Sequence, residues 1–174
     1  MSLKVLLVCT GNTCRSSMAA AILRNLATAS GVTGLEVKSA GTATIDGAPA
    51  SEHAVSVMKD RGIDLTGHRS SRLTKGLVEW ADLILTMTGS QKSLISNVFG
   101  ARSKVFTLLE YAGDTERPKG PGDPGEECTA DISDPYGRPV ETYRKVARQI
   151  EDALKQVLGR IAGDRTGPGG KADA

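Results

Sequence analysis

Long apolar runs are missing from this chain. No stretch approaches the roughly 18 residues of a membrane span, and the opening run LKVLLV, residues 3 to 8, is too short and too soon followed by polar residues for a signal peptide. The expected compartment is the cytoplasm, with no membrane partner. A large excess of either charge is missing too. Twenty-two Lys and Arg against 20 Asp and Glu leave a formal net charge of +2, which gives no reason to expect nucleic acid or a membrane surface. Any basic character must belong to a specific site. Cysteine is scarce and odd in number: of the three, Cys9 and Cys14 share one short loop and Cys128 stands apart. That pattern excludes a secreted disulfide framework and makes reduced thiols the default. No cluster of His and Cys has metal-ligand spacing, so neither a metal nor a cofactor is expected. No internal repeat is visible.

What is present suffices for one domain with a real core, since 174 residues with 39% hydrophobic content fall in the usual range of about 100 to 200. Four short runs rich in Val, Ile and Leu recur: Leu3 to Val8, Leu35 to Val37, Leu83 to Met87 and Lys104 to Leu108. Between them the spacing is helical, with Met18, Ile22, Leu23 and Leu26 on one face, then Ala54, Val57 and Met58, then Leu94, Ile95 and Val98. Continuous apolar strands alternating with helices predict an α/β fold: a single domain with a four-stranded parallel sheet flanked by helices on both faces. Val140, Tyr143, Val146, Ala147, Ile150, Leu154, Val157 and Ile161 predict a closing helix of about six turns. The domain is expected to span residues 1–162. A long surface loop at 113–130, rich in Pro, Gly and acids, interrupts it, and a disordered tail at 163–174 follows. The long loop leads into DISDPYGRP, residues 131 to 139.

The densest chemistry lies in CTGNTCRSS, residues 9 to 17, directly after the first strand. Open parallel sheets place ligands where such a loop leaves a strand and enters a helix, and the backbone N–H groups of a helix N-terminus attract anions. Gly11 permits a positive φ, Asn12 tolerates one, and Arg15 can grip two phosphate oxygens at once. This is a phosphate-binding loop after the first strand. The N–H groups and arginine that would hold the anion also stabilise a thiolate at Cys9, at the base of the cradle, which makes Cys9 a nucleophile aimed at phosphorus. A Walker pattern, which needs Lys followed by Ser or Thr after a longer Gly-rich run, is absent. A Cys and an Arg six apart are common by chance; with Gly11, Asn12 and Ser16 in a strand-to-helix turn, the catalytic reading outweighs a buried strand cysteine, a packing Cys14 and a simple serine cap.

Together CTGNTCRS, SAGT at 39–42, HRS at 68–70, ADLILTMT at 81–88 and DPYG at 134–137 resemble, in order, the motifs of the low-molecular-weight protein tyrosine phosphatase family. The resemblance covers the chain up to the final helix, apart from the 113–130 loop and the tail. It implies a cysteine-dependent phosphatase acting on phosphorylated proteins through a phosphocysteine. In it Cys9 is the nucleophile, Arg15 the phosphate grip and Asp134 the general acid and later base. The loop residues Thr10, Gly11, Asn12, Thr13, Cys14 and Ser16 form the binding surface, with Ser16 bonded to the thiolate. Asn12 is held left-handed by a network to which Ser39 and His68 correspond. By itself Asp134 reads first as a turn opener before Pro135; the long loop and the family order together favour the acid role, and Asp131, without the following Pro-Tyr-Gly, is its neighbour and competitor. Tyr136 is expected to line the pocket mouth, or else to cover the loop. Ser17 departs from the family's usual proline and should leave the loop slightly less rigid. Cys14 is close enough to Cys9 to suggest a protective, reversible disulfide.

Thr13 carries the substrate expectation. Family members directed at tyrosine usually have Ile there, an apolar wall for a ring, whereas Thr keeps the β-branched shape and adds a hydroxyl that guanidinium N–H donors can use. The loop with this Thr resembles that of the protein-arginine phosphatases of the family, which reverse a mark for stress-linked degradation in bacteria. A tyrosine phosphatase would use the same residues. A thioredoxin-coupled arsenate reductase would need a further cysteine pair on one mobile segment, and Cys128 stands alone.

Overall fold

A computed structural model describes residues 2–113 and 131–166. Four strands, β1 (Leu3–Cys9), β2 (Leu35–Gly41), β3 (Leu83–Thr86) and β4 (Val105–Thr107), form one sheet in the order β2-β1-β3-β4. Every neighbouring pair is parallel. The alternation of side chains along the central strand divides the core in two. Val5, Leu7 and Cys9 face the larger cluster, and Leu6 and Val8 the smaller one. Over the larger face lie α1 (Arg15–Ala29), α2 (Glu52–Lys59), α5 (Leu108–Ala112) and α6 (Val140–Thr166); over the smaller lie α3 (Lys75–Trp80) and α4 (Gly89–Phe99). The expected four-stranded parallel sheet with helices on both faces is therefore present.

The strand order places the site. The chain leaves β1 toward β2 and leaves β3 toward β4, on the other side, so the two connections diverge and open a crevice above the carboxyl ends of β1 and β3. The loop after Cys9 lines one side of that crevice. On the other side Ile132 N donates to Met87 O at 2.8 Å, which draws the acid-bearing segment against the end of β3.

Several expected boundaries shift. α6 buries Tyr143, Val146, Ala147, Ile150, Leu154, Val157 and Ile161 as its spacing predicts. It runs on through Thr166, so residues 163–166, expected in the tail, extend the helix. A docked helix gains one hydrogen bond per added residue, which carries it past a single glycine, here Gly163. Residues 167–174, and the 113–130 loop with Cys128 except for Gly113, lie outside the described residues. Gly113 closes α5 with a φ of 85°. On α4 only one stripe is covered: Gln91 and Ile95 are buried, while Leu94 and Val98 are exposed, contrary to the expected face. β4 offers just three residues for that helix to cover. Lys104 and Leu108 fall outside β4, in a short 3-10 turn and at the start of α5, because Thr107 and Glu110 form a capping box there. Among the described residues no helix is long and apolar enough to cross a membrane.

Candidate active site

β1 ends at Cys9, buried at the middle of the sheet. Its Sγ accepts from Asn12 N at 3.1 Å and lies 2.9 Å from Ser16 Oγ. The loop turns back on itself at Asn12, whose φ of 56° is the only positive value for a non-glycine residue among the described residues. That conformation costs about 1–2 kcal/mol for a side-chain-bearing residue, and four hydrogen bonds offset it. Besides the bond to Cys9, Asn12 Nδ2 donates to Ser16 Oγ (2.8 Å), Ser71 N donates to Asn12 Oδ1 (2.8 Å), and His68 Nε2 meets Asn12 O at 2.6 Å. Because a carbonyl only accepts, His68 carries its proton on Nε2. Burial holds the His68 imidazole below its ordinary value, with Arg24 and Arg69 adding to the effect and the bond to Asn12 opposing it.

Two expectations about the loop change. Gly11 is not in the positive-φ region, and a Cβ added there would meet only Thr13 Oγ1, at 3.5 Å; the left-handed turn belongs to Asn12 alone. Ser39 makes no hydrogen bond to Asn12, because the two ends of that amide are already engaged by Ser16 and by the Ser71 backbone. The Ser-Ala-Gly-Thr segment supports the loop through Gly41 instead. A Cβ there would stand 2.6 Å from Thr10 O, 2.8 Å from Thr44 Cγ2 and 3.1 Å from Asn12 Cβ, so the close approach of β2 to the loop requires glycine.

α1 begins at Arg15, and its N-cap Cys14 makes no side-chain cap hydrogen bond. By contrast α2, α3, α4 and α5 are capped by Ser51, Thr74, Thr88 and Thr107. The N–H groups of α1 are thus left for an anion. Ser17, which stands where the family usually has proline and was expected to loosen the loop, is buried and donates through Oγ to Cys14 O at 2.8 Å, which ties the first turn by a hydrogen bond. Arg15 is buried beside this turn. Its Nη1 donates to Ile132 O at 3.0 Å and its Nη2 lies 3.1 Å from Asp134 Oδ2. Asp131, the competing acid, is occupied elsewhere: its Oδ1 accepts from Gly89 N at 2.7 Å, at the start of α4. Tyr136 is exposed, and its N–H donates to Asp134 Oδ1 at 3.1 Å.

Three supporting residues gave no signal in the sequence. Gln91 is buried; its Nε2 donates to Thr10 Oγ1 (3.1 Å) while its Oε1 accepts from Met87 N and Thr88 N, which fastens α4 to the loop. Ser51 receives a hydrogen bond from the Cys14 thiol (3.3 Å), and its N–H donates to Thr13 O (2.9 Å). Tyr143, legible only as a core residue of the last helix, places its hydroxyl 3.4 Å from Cys14 Sγ, and burial, then that contact, pushes its pKa up to about 12. It therefore remains a phenol that can donate to the sulfur. Thr13 is half-buried with Oγ1 3.7 Å from Cys14 Sγ. Among the described residues no group of His, Cys, Asp or Glu could hold a metal.

A buried thiol at the base of a helix without a side-chain cap, a buried arginine and a carboxylate paired with it are groups of the kinds that phosphoryl transfer uses. Known proteins are similar to this chain over nearly its whole length. The protein-arginine-phosphatase of Geobacillus stearothermophilus is 39% identical over 162 residues, 92% of this chain and 97% of that protein. A probable low molecular weight protein-tyrosine-phosphatase, EpsP, of Ralstonia solanacearum is 39% identical over 158 residues, 90% and 94% of the two chains. Among solved structures, a YwlE arginine phosphatase with its active-site cysteine changed to a phosphorylated serine superposes with a TM-score of 0.82 at 35% identity, covering 94% of this chain and 98% of that one. The model of the family described as low molecular weight phosphotyrosine protein phosphatase matches residues 4–166, and the chain belongs to that family.

Proposed function

We propose that this chain is a protein-arginine phosphatase, working in the cytoplasm on phosphorylated proteins, with Cys9, Arg15 and Asp134 as its catalytic residues. The Cys9 thiolate attacks phosphorus from the base of the loop, and the loop N–H groups and Arg15 hold the phosphoryl oxygens as charge develops on them. The P–N bond breaks with its electron pair going to nitrogen. Arginine's conjugate acid has a pKa above about 12, so the departing guanidine takes a proton readily, and Asp134 supplies it. In the second half Asp134 as carboxylate takes a proton from water, the resulting hydroxide attacks the phosphocysteine, and the S–P bond breaks to return the thiolate and release phosphate. The contact of Arg15 with Asp134 supports this pairing of grip and acid. The phosphorylated serine reported in the YwlE structure supports a covalent step at the equivalent cysteine.

Overall identity does not select the substrate, since arginine- and tyrosine-directed relatives are equally similar at 39%. Thr13 carries the choice: the residue is half-buried in the loop, with Oγ1 3.7 Å from Cys14 Sγ. A hydrogen bond to a charged group is worth about 1.5–3 kcal/mol. Losing it in Thr13→Ile should cut kcat/KM on a phosphoarginine peptide by about 10- to 100-fold and leave a phosphotyrosine peptide unaffected or improved. Unchanged selectivity would refute the substrate assignment while leaving the catalytic one in place.

A further inference from the structure

Outside the crevice the described residues form a second concavity of about 480 Å³, at the outer edge of β2, between α1, the 64–71 segment and α3. Three cations line it: Arg24 from α1, Lys38 from β2 and Arg69. None of the three takes part in a salt bridge among the described residues; each is steadied by a neutral partner. Arg24 Nη2 donates to Val37 O (2.6 Å), Arg69 Nη1 to Thr66 O and His68 O (3.2 and 2.7 Å), and Lys38 Nζ sits 4.3 Å from the centre of the Trp80 ring. The one carboxylate in the wall, Asp64, accepts from Thr66 N and Oγ1 through its Oδ1. Three cations against one carboxylate leave a positive hollow of a size suited to a small ligand. His68 shares this wall, and on its far side it bonds Asn12 O.

We propose that this hollow is an effector site for a small phosphate-bearing anion, and that His68 transmits its occupancy to the catalytic loop. Guanidinium forks suit phosphate oxygens, and two of the three cations here are held by neutral carbonyls, which leaves their charge for a ligand. The groups facing His68 are Arg24 from α1, Lys38 from β2, Asp64 and Arg69 from its own segment, and the Asn12 carbonyl. Burial and the two arginine charges disfavour its imidazolium. An anion among them reverses that balance. Binding then takes up a proton on Nδ1, while Nε2–H, now more acidic, tightens its bond to Asn12, the residue that holds the loop in its left-handed turn.

Calorimetric titration with tripolyphosphate, and separately with adenosine 5′-monophosphate, tests this in wild type, Arg15→Ala and the double variant Lys38→Glu/Arg69→Glu. Wild type should show two binding events. Arg15→Ala should lose the loop event and keep the other, which should be several-fold tighter at pH 6 than at pH 8. The double charge reversal should lose that second event and keep the first. Should Arg15→Ala fail to fold, wild type with vanadate saturating the loop replaces it. A response to one probe alone distinguishes inorganic from nucleotide-borne phosphate. A single event that Arg15→Ala or vanadate abolishes for both probes overturns the site. Binding that leaves the Asn12 amide resonance unmoved overturns the link to the loop.

Discussion

Replacing Gly41 by alanine adds one carbon atom at the place where β2 meets the catalytic loop. The new Cβ would stand 2.6 Å from Thr10 O, against a comfortable separation of 3.4 Å or more. Gly41 cannot retreat: its N–H donates to Ser71 O and its carbonyl accepts from Leu73 N, both at 2.8 Å, and β2 is in register with β1 from Leu3↔Leu35 to Cys9↔Gly41. Relief must come from the loop, where Thr10 O has to move by about 0.8 Å, the shortfall between those two separations, and its bond from Ala43 N weakens. Overpacking of this kind costs about 1–3 kcal/mol, a loss of a few degrees in Tm for a chain of this size. A displacement approaching 1 Å in a reacting loop costs on the order of 10²-fold in rate. Gly41→Ala should therefore stay folded, unfold a few degrees early and lose about 10²-fold in kcat. Gly76→Ala in α3, where the added Cβ meets nothing closer than 3.9 Å, is the control and should be neutral or slightly stabilising. Thermal unfolding followed by circular dichroism and steady-state kinetics on a phosphopeptide read both quantities. Wild-type kcat in Gly41→Ala would show that the loop's position does not depend on β2 and refute the reasoning.

Asp134→Asn should lower kcat by about 10²–10⁴-fold with little change in Tm, since its ion pair with Arg15 is half exposed on the aspartate side. Asp131→Asn should do the reverse, costing about 1 kcal/mol through the weakened bond to Gly89 N and sparing most of the rate; equal rate losses in both variants would undo the assignment. His68 is held below its ordinary value in the folded chain, so the unfolded chain binds the proton first. Stability is complete above about pH 6.5, declines as pH falls through the depressed folded value, and is level below it; urea midpoints across pH 5–8 should show a slope that His68→Gln reduces. Peroxide should give a Cys9–Cys14 disulfide, reversible with dithiothreitol and visible by mass spectrometry. Irreversible Cys9 sulfinic acid in its place would exclude the protective pairing.

The sheet and both layers of helices were legible because continuous Val, Ile and Leu runs alternate with helical spacing, and this holds whichever side chain caps or closes each element. The catalytic loop was legible because its chemistry is contiguous, from Cys9 to Ser17. What holds the loop was legible only in part: His68 and Ser16 were expected to support it and do, but its other supports were hidden. Thr10 is reached from Gln91, 81 positions away, and Asn12 from the backbone of Ser71, 59 positions away. A main-chain N–H carries no residue signature at all, which is why Ser39, a side chain with the right chemistry at a plausible place, was expected in a role that Ser71 performs. Tyr143 was hidden differently. It satisfies the apolar spacing of α6 so well that its hydroxyl, turned to Cys14, left no trace in the pattern.

The helix caps explain how one loop can be both strained and reliable. Four helices begin at a Ser or Thr whose side chain accepts from the first turn, an arrangement worth about 1 kcal/mol each. α1 begins at Cys14 without one. A side chain that accepted those N–H groups would stabilise the fold and occupy the donors that a phosphate needs, so local stability and anion binding compete for the same atoms. The left-handed Asn12 adds a second local cost. Part of this is offset within the loop, at Cys9 Sγ and Ser16 Oγ, and part by bonds from Ser71, His68 and Gln91, which lie outside it. Strain at the reacting centre is thus held in place by the rigid parts of the fold. It follows that substitutions at Gly41 or Gln91, which touch no substrate, should alter the rate as surely as substitutions in the loop itself.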